Sequence, residues 1–345
     1  MSAKRKAKRN KRNKFSKFIL LLLLVATLLV GCPQMQDRLP PQAGQVVEQL
    51  QTIPGQLGEL AEEADRLSVE LKATFKRFAN WLESLTQPPP EVGESSTFAV
   101  HFVDVGQADC ALVACDGQYM LIDGGNREDS DLVYTYLKEQ GVEHLEYLVA
   151  THLHEDHIGG LSSAPYAATV GTALAPDTQR ITKVFRNLVK SLSTRDVSIT
   201  VPEAGTEFPL GSARVRVLGP VKKYSDTNNT SLVLAVDYGE TTFLFTGDME
   251  LEAENDLVES GCDLSADVLK VGHHGSSSGT GYRFLREVMP QYAVISVGEG
   301  NSYGHPHEAP LSRLSDAGAT VYRTDHSGTI IARSDGKTVT FETER

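Results

Sequence analysis

Beyond residue 96 the chain alternates between short apolar runs and breaks of Gly, Asp and Pro, a pattern of buried strands and turns. Apolar runs predict strands over 98–105, 111–114, 119–122 and 145–150, and a second series over 214–218, 232–238, 242–245, 268–271 and 293–297. Helices are predicted over 132–140, 250–260, 282–288 and 309–317. Two β-rich halves, each ending in helices, predict an α+β fold of two packed sheets covered on their outer faces, a four-layer αββα arrangement. Before residue 96 the pattern differs. Residues 33–87 are rich in Gln, Glu, Leu and Ala, and Leu60, Ala64, Leu67, Leu71 and Phe75 recur at helical spacing, continued by Trp81, Leu82 and Leu85. Pro88, Pro89 and Pro90 stop that helix and make a stiff spacer, so residues 32–95 read as a helical stalk, with self-association or partner binding as the sharper alternative. The hydrolytic domain is expected over 96–345.

Residues 1–31 have the architecture of an export signal: nine Lys and Arg, then an apolar run over 18–30 that is short for a membrane span of about 20 residues. The run ends in Leu29-Val30-Gly31-Cys32, which resembles a bacterial lipobox. That resemblance implies cleavage before Cys32, lipidation of its thiol and tethering to the outer face of a membrane; an uncleaved anchor helix would also place the domain outside. Without residues 1–31, which carry no acidic residue, the formal net charge falls from −12 to −21. So acidic a chain repels polyanions at long range, and a nucleic-acid substrate would need metal ions or a local basic patch. Three cysteines remain beside Cys32, an odd number for a disulfide set; Cys110 and Cys115 stand at an odd offset in one predicted strand and so face opposite ways.

Seven of the ten histidines fall in three windows: His152, His154 and His157; His273 and His274; His305 and His307. The first window, Thr151-His152-Leu153-His154-Glu155-Asp156-His157, directly follows a predicted strand, where side chains converge on a point while the scaffold holds them rigid. Imidazole and carboxylate donors together suit zinc and other first-row metals. In this H-x-H-x-D-H spacing, His152 and His154 share one face of an extended segment and suit one ion, and Asp156 and His157 come round to a second.

This window resembles the signature of the metallo-β-lactamase superfamily, whose fold is the four-layer αββα sandwich and in which the motif binds two divalent metals, here zinc or manganese. Other pieces agree in order. Asp123 in Leu121-Ile122-Asp123-Gly124-Gly125 matches the Asp that orients the histidine loop, Asp248 in Phe245-Thr246-Gly247-Asp248 matches the bridging carboxylate, and His273-His274-Gly275-Ser276 matches the last ligand motif. Over nearly all of residues 98–342 the chain is similar to the C-terminal hydrolase-like domain of the ComEC/Rec2 competence proteins. The matching segments include Asp104-Val105-Gly106-Gln107-Ala108-Asp109, Asn228-Asn229-Thr230-Ser231 and Asn301-Ser302-Tyr303-Gly304-His305-Pro306.

One departure touches the metal site: no histidine lies between His157 and His273, where lactam and thioester hydrolases of the superfamily supply a third ligand to the first ion. Asn228 and Asn229 stand in about that place, as weak ligands, substrate contacts or turn residues. Spacing cannot separate His273 from His274; the resemblance favours His274 as ligand and leaves His273 for a supporting or substrate contact, with Asn301 in the same class. The expected metal set is therefore His152, His154, Asp156, His157, Asp248 and His274, with Asp156 essential to turnover. His305 is expected to assist the leaving group and His307 to cap the helix after it, while His101, His144 and His326 are structural or surface residues. The expected reaction is phosphodiester hydrolysis, with DNA as one candidate substrate and with diesters of wall polymers or lipid headgroups, or a non-catalytic binding module, as alternatives.

Overall fold

The computed structural model describes residues 97–177 and 181–345. The predicted signal over 1–31, Cys32 and the stalk over 32–95 lie outside the described residues. In chain order the elements are β1 (Phe98–Phe102), β2 (Ala111–Cys115), β3 (Gln118–Ile122), α1 (Ser130–Glu139), β4 (His144–Val149), α2 (Glu155–Ile158), α3 (Ala164–Ala167), β5 (Thr169–Leu174), α4 (Lys183–Ser193), β6 (Ile199–Thr200), β7 (Glu207–Leu210), β8 (Ala213–Gly219), β9 (Val233–Tyr238), β10 (Thr241–Phe245), α5 (Leu251–Glu259), β11 (Val268–Lys270), α6 (Tyr282–Val288), β12 (Tyr292–Ile295), α7 (Glu308–Asp316), β13 (Thr320–Arg323), α8 (Thr324–Ser327), β14 (Ile330–Ser334) and β15 (Val339–Thr343).

Eight strands form one sheet in the order β15-β14-β1-β2-β3-β4-β5-β6, and seven form the other in the order β13-β12-β11-β10-β9-β8-β7. The inner core is built by alternation. Val100 and Phe102 of β1, Val113 of β2 and Met120 and Ile122 of β3 meet Val215 and Val217 of β8, Val236 of β9 and Phe243 and Phe245 of β10. The intervening residues face outward onto helices: Leu112, Leu121 and Leu148 pack with Val133 and Leu137 of α1 and Leu188 and Leu192 of α4, and Ala235, Leu244 and Leu269 pack with Leu257 of α5, Leu285 of α6 and Leu314 of α7. Four layers result, as the apolar pattern predicts. Cys115 lies in the inner core and Cys110 in the outer one, and neither forms a disulfide.

Two features depart from the reading of the sequence. The two halves are not self-contained, because the C-terminal hairpin β14-β15 returns to pair with β1 in the first sheet. The strand predicted over 98–105 ends at Phe102, since residues 103–110 turn away to line the centre described below. Strands β5, β6, β7, β13, β14 and β15 and helices α2, α3, α4 and α8 were not among the predicted elements: β6 is two residues long, α2, α3 and α8 are four each, and β15 is half polar on a sheet edge. Among the described residues no helix is long and apolar enough to cross a membrane.

Candidate metal centre

The parallel strands of both sheets end at one place. Strands β3, β4, β5 and β6 run parallel in the first sheet, and β10, β11, β12 and β13 in the second. Asp123 follows β3, His152 to His157 follow β4, Asp248 follows β10, and His273 and His274 follow β11. Side chains from four strand ends therefore meet on a rigid frame. Loops 106–109, 123–125 and 156–157 are stitched together by Asp109 N–H to Asp156 O at 3.1 Å, Gly125 N–H to Asp109 O at 2.8 Å and Gly124 N–H to His157 O at 2.7 Å. A β-carbon on Gly160 would lie 2.1 Å from Gly124 O, so only glycine lets the histidine loop approach this closely.

Three donor groups overlap there among the described residues, one of them Asp109, Asp123 and His157, and the other two share a carboxylate. In the first of those two, single ligand atoms of Asp156, His157, Asp248 and His274 lie within 4.8 Å of one another; in the second, those of His152, His154 and Asp248 do. Asp248 is common to both. His157 Nδ1 donates to Asp123 Oδ2 at 2.8 Å, which turns Nε2 toward Asp248 Oδ1 at 3.2 Å. Asp123 also accepts from Thr151 N–H at 2.8 Å and Thr151 Oγ1 at 2.6 Å, and so ties down the start of the histidine loop. His274 Nδ1 lies 3.1 Å from Ser296 O and 3.2 Å from Asp109 Oδ1, leaving Nε2 toward Asp156 Oδ2 at 3.3 Å. On the other side His152 Nε2 and His154 Nδ1 face each other at 3.0 Å, and His152 Nε2 is 3.7 Å from Asp248 Oδ2. His154 is exposed at the N-cap of α2.

The paired histidines are distinguished by backbone conformation. Both His273 and His274 have positive φ, 49° and 53°, a left-handed turn that non-glycine residues adopt at some cost and that here aims them differently. His274 is buried and reaches Asp156 and Asp248; His273 is partly exposed, its Nδ1 3.1 Å from Glu250 Oε1 and 3.0 Å from Ser278 Oγ, its Nε2 3.9 Å from Asp248 Oδ2.

The charge balance is strained without a cation. Burial opposes a charge on His274, yet the Asp248 and Asp109 carboxylates outweigh it and push its pKa up to about 10. His157 is likewise raised, against burial, by Asp248 and Asp123, while burial and the charge of His157 hold His152 well below the usual range. His157 Nε2, Asp248 Oδ1 and His274 Nε2 are all buried without a hydrogen-bond partner. Buried imidazole nitrogens and carboxylate oxygens that face one another unsatisfied are the donor set a zinc or manganese ion would complete.

Several expected residues stand elsewhere. Asn229 Oδ1 accepts from Glu250 N–H at 3.0 Å, which takes its oxygen away from any ion; Asn228 Nδ2 donates to Glu250 Oε1 at 3.2 Å and so supports His273 indirectly, while its Oδ1 is buried without a hydrogen-bond partner. The space between the asparagines and Asp248 is taken by Ser231, whose Oγ accepts from Asp248 N–H and donates to Asn228 O. Asn301 does not reach the donors: its Oδ1 accepts from Tyr303 N–H and His305 N–H, and its Nδ2 donates to Gly298 O and His305 O, which shapes the loop carrying His305. His305 does stand over the centre, its ring 5.8 Å from His273 and 6.5 Å from His274 between centroids. Burial and the neighbouring His307 lower its pKa to about 4, so it is neutral near pH 7, with Gln107 Nε2 donating to Nδ1 at 3.4 Å. His307 occupies the N-cap position of α7, but its side chain accepts from Ser277 N–H instead of capping the helix. His101 is buried against Tyr136, and His144 and His326 are exposed.

Asp109, Gln107, Lys270 and Ser231 surround the donors without having been expected to. A signal for Lys270 was available: one ammonium inside the otherwise apolar Val268-Leu269-Lys270-Val271 demands a buried partner.

The Metallo-beta-lactamase superfamily profile matches residues 103–299. The chain is 31% identical over 266 residues to ComE operon protein 3 of Bacillus subtilis (strain 168), covering 72% of this chain and 34% of that protein. It is 31% identical to Recombination protein 2 of Haemophilus influenzae, covering 68% and 28%, and 31% identical to Competence protein ComA of Neisseria gonorrhoeae, covering 70% and 33%. It thus spans about a third of the length of these curated relatives. With Asp123, the 152–157 motif, Asp248 and His274 all inside the matched span, the chain belongs to the metallo-β-lactamase superfamily.

Proposed function

We propose that this protein is a metal-dependent phosphodiesterase, exported and held at the outer face of a membrane by a lipid on Cys32. The observation that carries the chemistry is the pair of donor groups sharing Asp248. Asp156, His157, Asp248 and His274 would hold one divalent ion and His152, His154 and Asp248 a second, and such ions would supply an activated water and neutralise charge on the displaced oxygen of a phosphate ester. The chain's own residues prepare the ground: Asp123 and Ser296 O orient His157 and His274, the exposed His154 edge leaves an approach for substrate, and neutral His305 offers its Nε2–H to a phosphate oxygen. With a pKa of about 4, His305 acts as a hydrogen-bond donor rather than as a cationic acid.

The absent third histidine and the likeness to the competence proteins support a diester over a lactam. Two substrate readings follow. DNA is suggested by the likeness; the acidity of the chain, whose net charge of −12 includes nine positive charges before residue 32, weighs against so densely charged a substrate and leaves a diester of a wall polymer or lipid headgroup as the other reading. The test is hydrolysis of a chromogenic phosphodiester and of plasmid DNA by the purified chain with zinc or manganese, beside an Asp156→Ala control. Cleavage of both, lost in the control and after chelation, supports a surface nuclease. Cleavage of the small diester alone points to wall or lipid substrates, and binding of DNA without turnover would replace the enzyme by a DNA-binding module.

A further inference from the structure

Lys270 and Asp109 form a buried ion pair that the proposed chemistry does not use. Lys270 closes β11, which lies between β10 and β12 and packs among apolar neighbours on both faces of its sheet. Its Nζ is 2.7 Å from Asp109 Oδ2 and donates to Val271 O at 3.0 Å; the two residues are 4% and 5% exposed. The cavity beside them measures about 10 Å³ and is lined also by Asp123 and Thr151. That is room for one water at most, so solvent does not screen the pair. Asp109 Oδ1 has no hydrogen bond of good geometry and lies 3.2 Å from His274 Nδ1.

The two buried histidines of the first donor group are thus backed differently. His157 is backed by Asp123, whose other bonds come from the neutral Thr151. His274 is backed by a backbone carbonyl and by a carboxylate already paired with an ammonium. A carboxylate behind a metal-ligating imidazole raises its basicity and fixes its tautomer. A carboxylate neutralised by lysine still fixes the ring but adds no net charge. Four carboxylates, Asp109, Asp123, Asp156 and Asp248, lie within this cluster, and Lys270 is the cation that touches it.

We propose that Asp109 and Lys270 are positioning residues for His274: the pair holds Nε2 toward Asp156 and Asp248, and the ammonium cancels one carboxylate so that a divalent ion is held less tightly than the acids alone would hold it. This rests on the metal-centre reading above. It predicts opposite signs for two single variants. Lys270→Met leaves the Asp109 charge uncancelled and tightens zinc at the first donor group, by on the order of tenfold given the separation. Asp109→Asn leaves the ammonium facing His274 and weakens zinc by a similar factor.

The experiment is competition for zinc between a chromogenic chelator and the purified full chain, for the wild type, both single variants and the double variant Asp109→Asn/Lys270→Met. Tighter binding by Lys270→Met, weaker binding by Asp109→Asn and recovery in the double variant support the proposal; a merely structural pair would weaken zinc in both singles. Should Lys270→Met fail to fold, Asp109→Asn against the neutral double variant carries the same test, because zinc must bind more tightly once the lysine is also removed. Equal affinity in those two overturns the role given to Lys270. A wild type that binds neither zinc nor manganese overturns the metal-centre reading instead.

Discussion

The two donor groups draw on one loop and one shared aspartate, yet they are built to different standards. Asp156, His157, Asp248 and His274 make a set of four, and each of its histidines has its distal nitrogen held, by Asp123 in one case and by Ser296 O beside Asp109 in the other. His152, His154 and Asp248 make a set of three, in which His152 has only a 3.3 Å contact to Thr151 Oγ1 and His154 is exposed, with its contact directed at His152. Supporting partners of this kind change metal affinity about 10- to 100-fold. The difference teaches that a single motif does not make two equal sites: the four-donor side is preorganised by burial and supporting bonds, and the three-donor side is left open toward solvent.

The comparison breaks most decisively at the shared residue. Asp248→Ala removes a donor from both groups, and we expect bound metal, measured by mass spectrometry of the desalted protein, to fall from about two ions per chain to less than one, with turnover reduced on the order of 1000-fold or more. Retention of two ions would mean that Asp248 bridges nothing. A finer cut compares His274→Ala with His154→Ala. Loss of His274 should weaken the tighter ion on the order of 100-fold, whereas loss of His154 should weaken only the looser ion, about tenfold, both read by chelator competition. Equal losses would erase the asymmetry.

How much of this was legible before the fold was known depended on what each residue has to do alone. Asp156 and the histidines of the 152–157 window were readable because ligand chemistry restricts residue type and because strand ends restrict spacing, whereas Asp123 and Asp248 were assigned by the resemblance to the superfamily. The choice of His274 over His273 followed only from resemblance; its physical cause, two successive left-handed residues before Gly275, is a property of the folded turn. Asp109 and Lys270 are 161 residues apart and meet only when β11 is laid down beside the 103–110 loop, so neither one carries its partner's address in the sequence. The role of Asn229 was undecided in the sequence for a related reason: an amide oxygen is as suited to a backbone N–H as to an ion, and only the position of Glu250 decides for it.

Histidines outside the centre provide a control for effects attributed to those within it. Burial and Arg333 lower the pKa of His101 from 6.5 to about 4, and its Nδ1 is 2.7 Å from Tyr136 Oη. A base whose folded pKa is depressed contributes stability that is present above pH 6.5 and lost as the pH falls toward 4. The contribution is about 2 kcal/mol once partial exposure is allowed for. His101→Gln should therefore flatten the fall of Tm between pH 6.5 and 4 and leave metal content unchanged. An unaltered acid limb would show that His101 titrates alike in the folded and unfolded states.

The smallest effect asks whether the open side has a hidden fourth donor. If Asn229 Oδ1 were a ligand, Asn229→Ala would release metal from the three-donor group with little change in folding. The geometry argues the reverse, since that oxygen accepts from Glu250 N–H at the entry to α5. Removing it leaves a partly buried N–H unsatisfied and costs about 1 kcal/mol. Thermal melting should accordingly drop by about 2 to 4 °C for a domain of this size, with the affinity for both ions unchanged. The two readouts move independently, so a loss of the looser ion at unaltered Tm would transfer Asn229 from the support of a helix to the metal, and would make the open side a group of four like its partner.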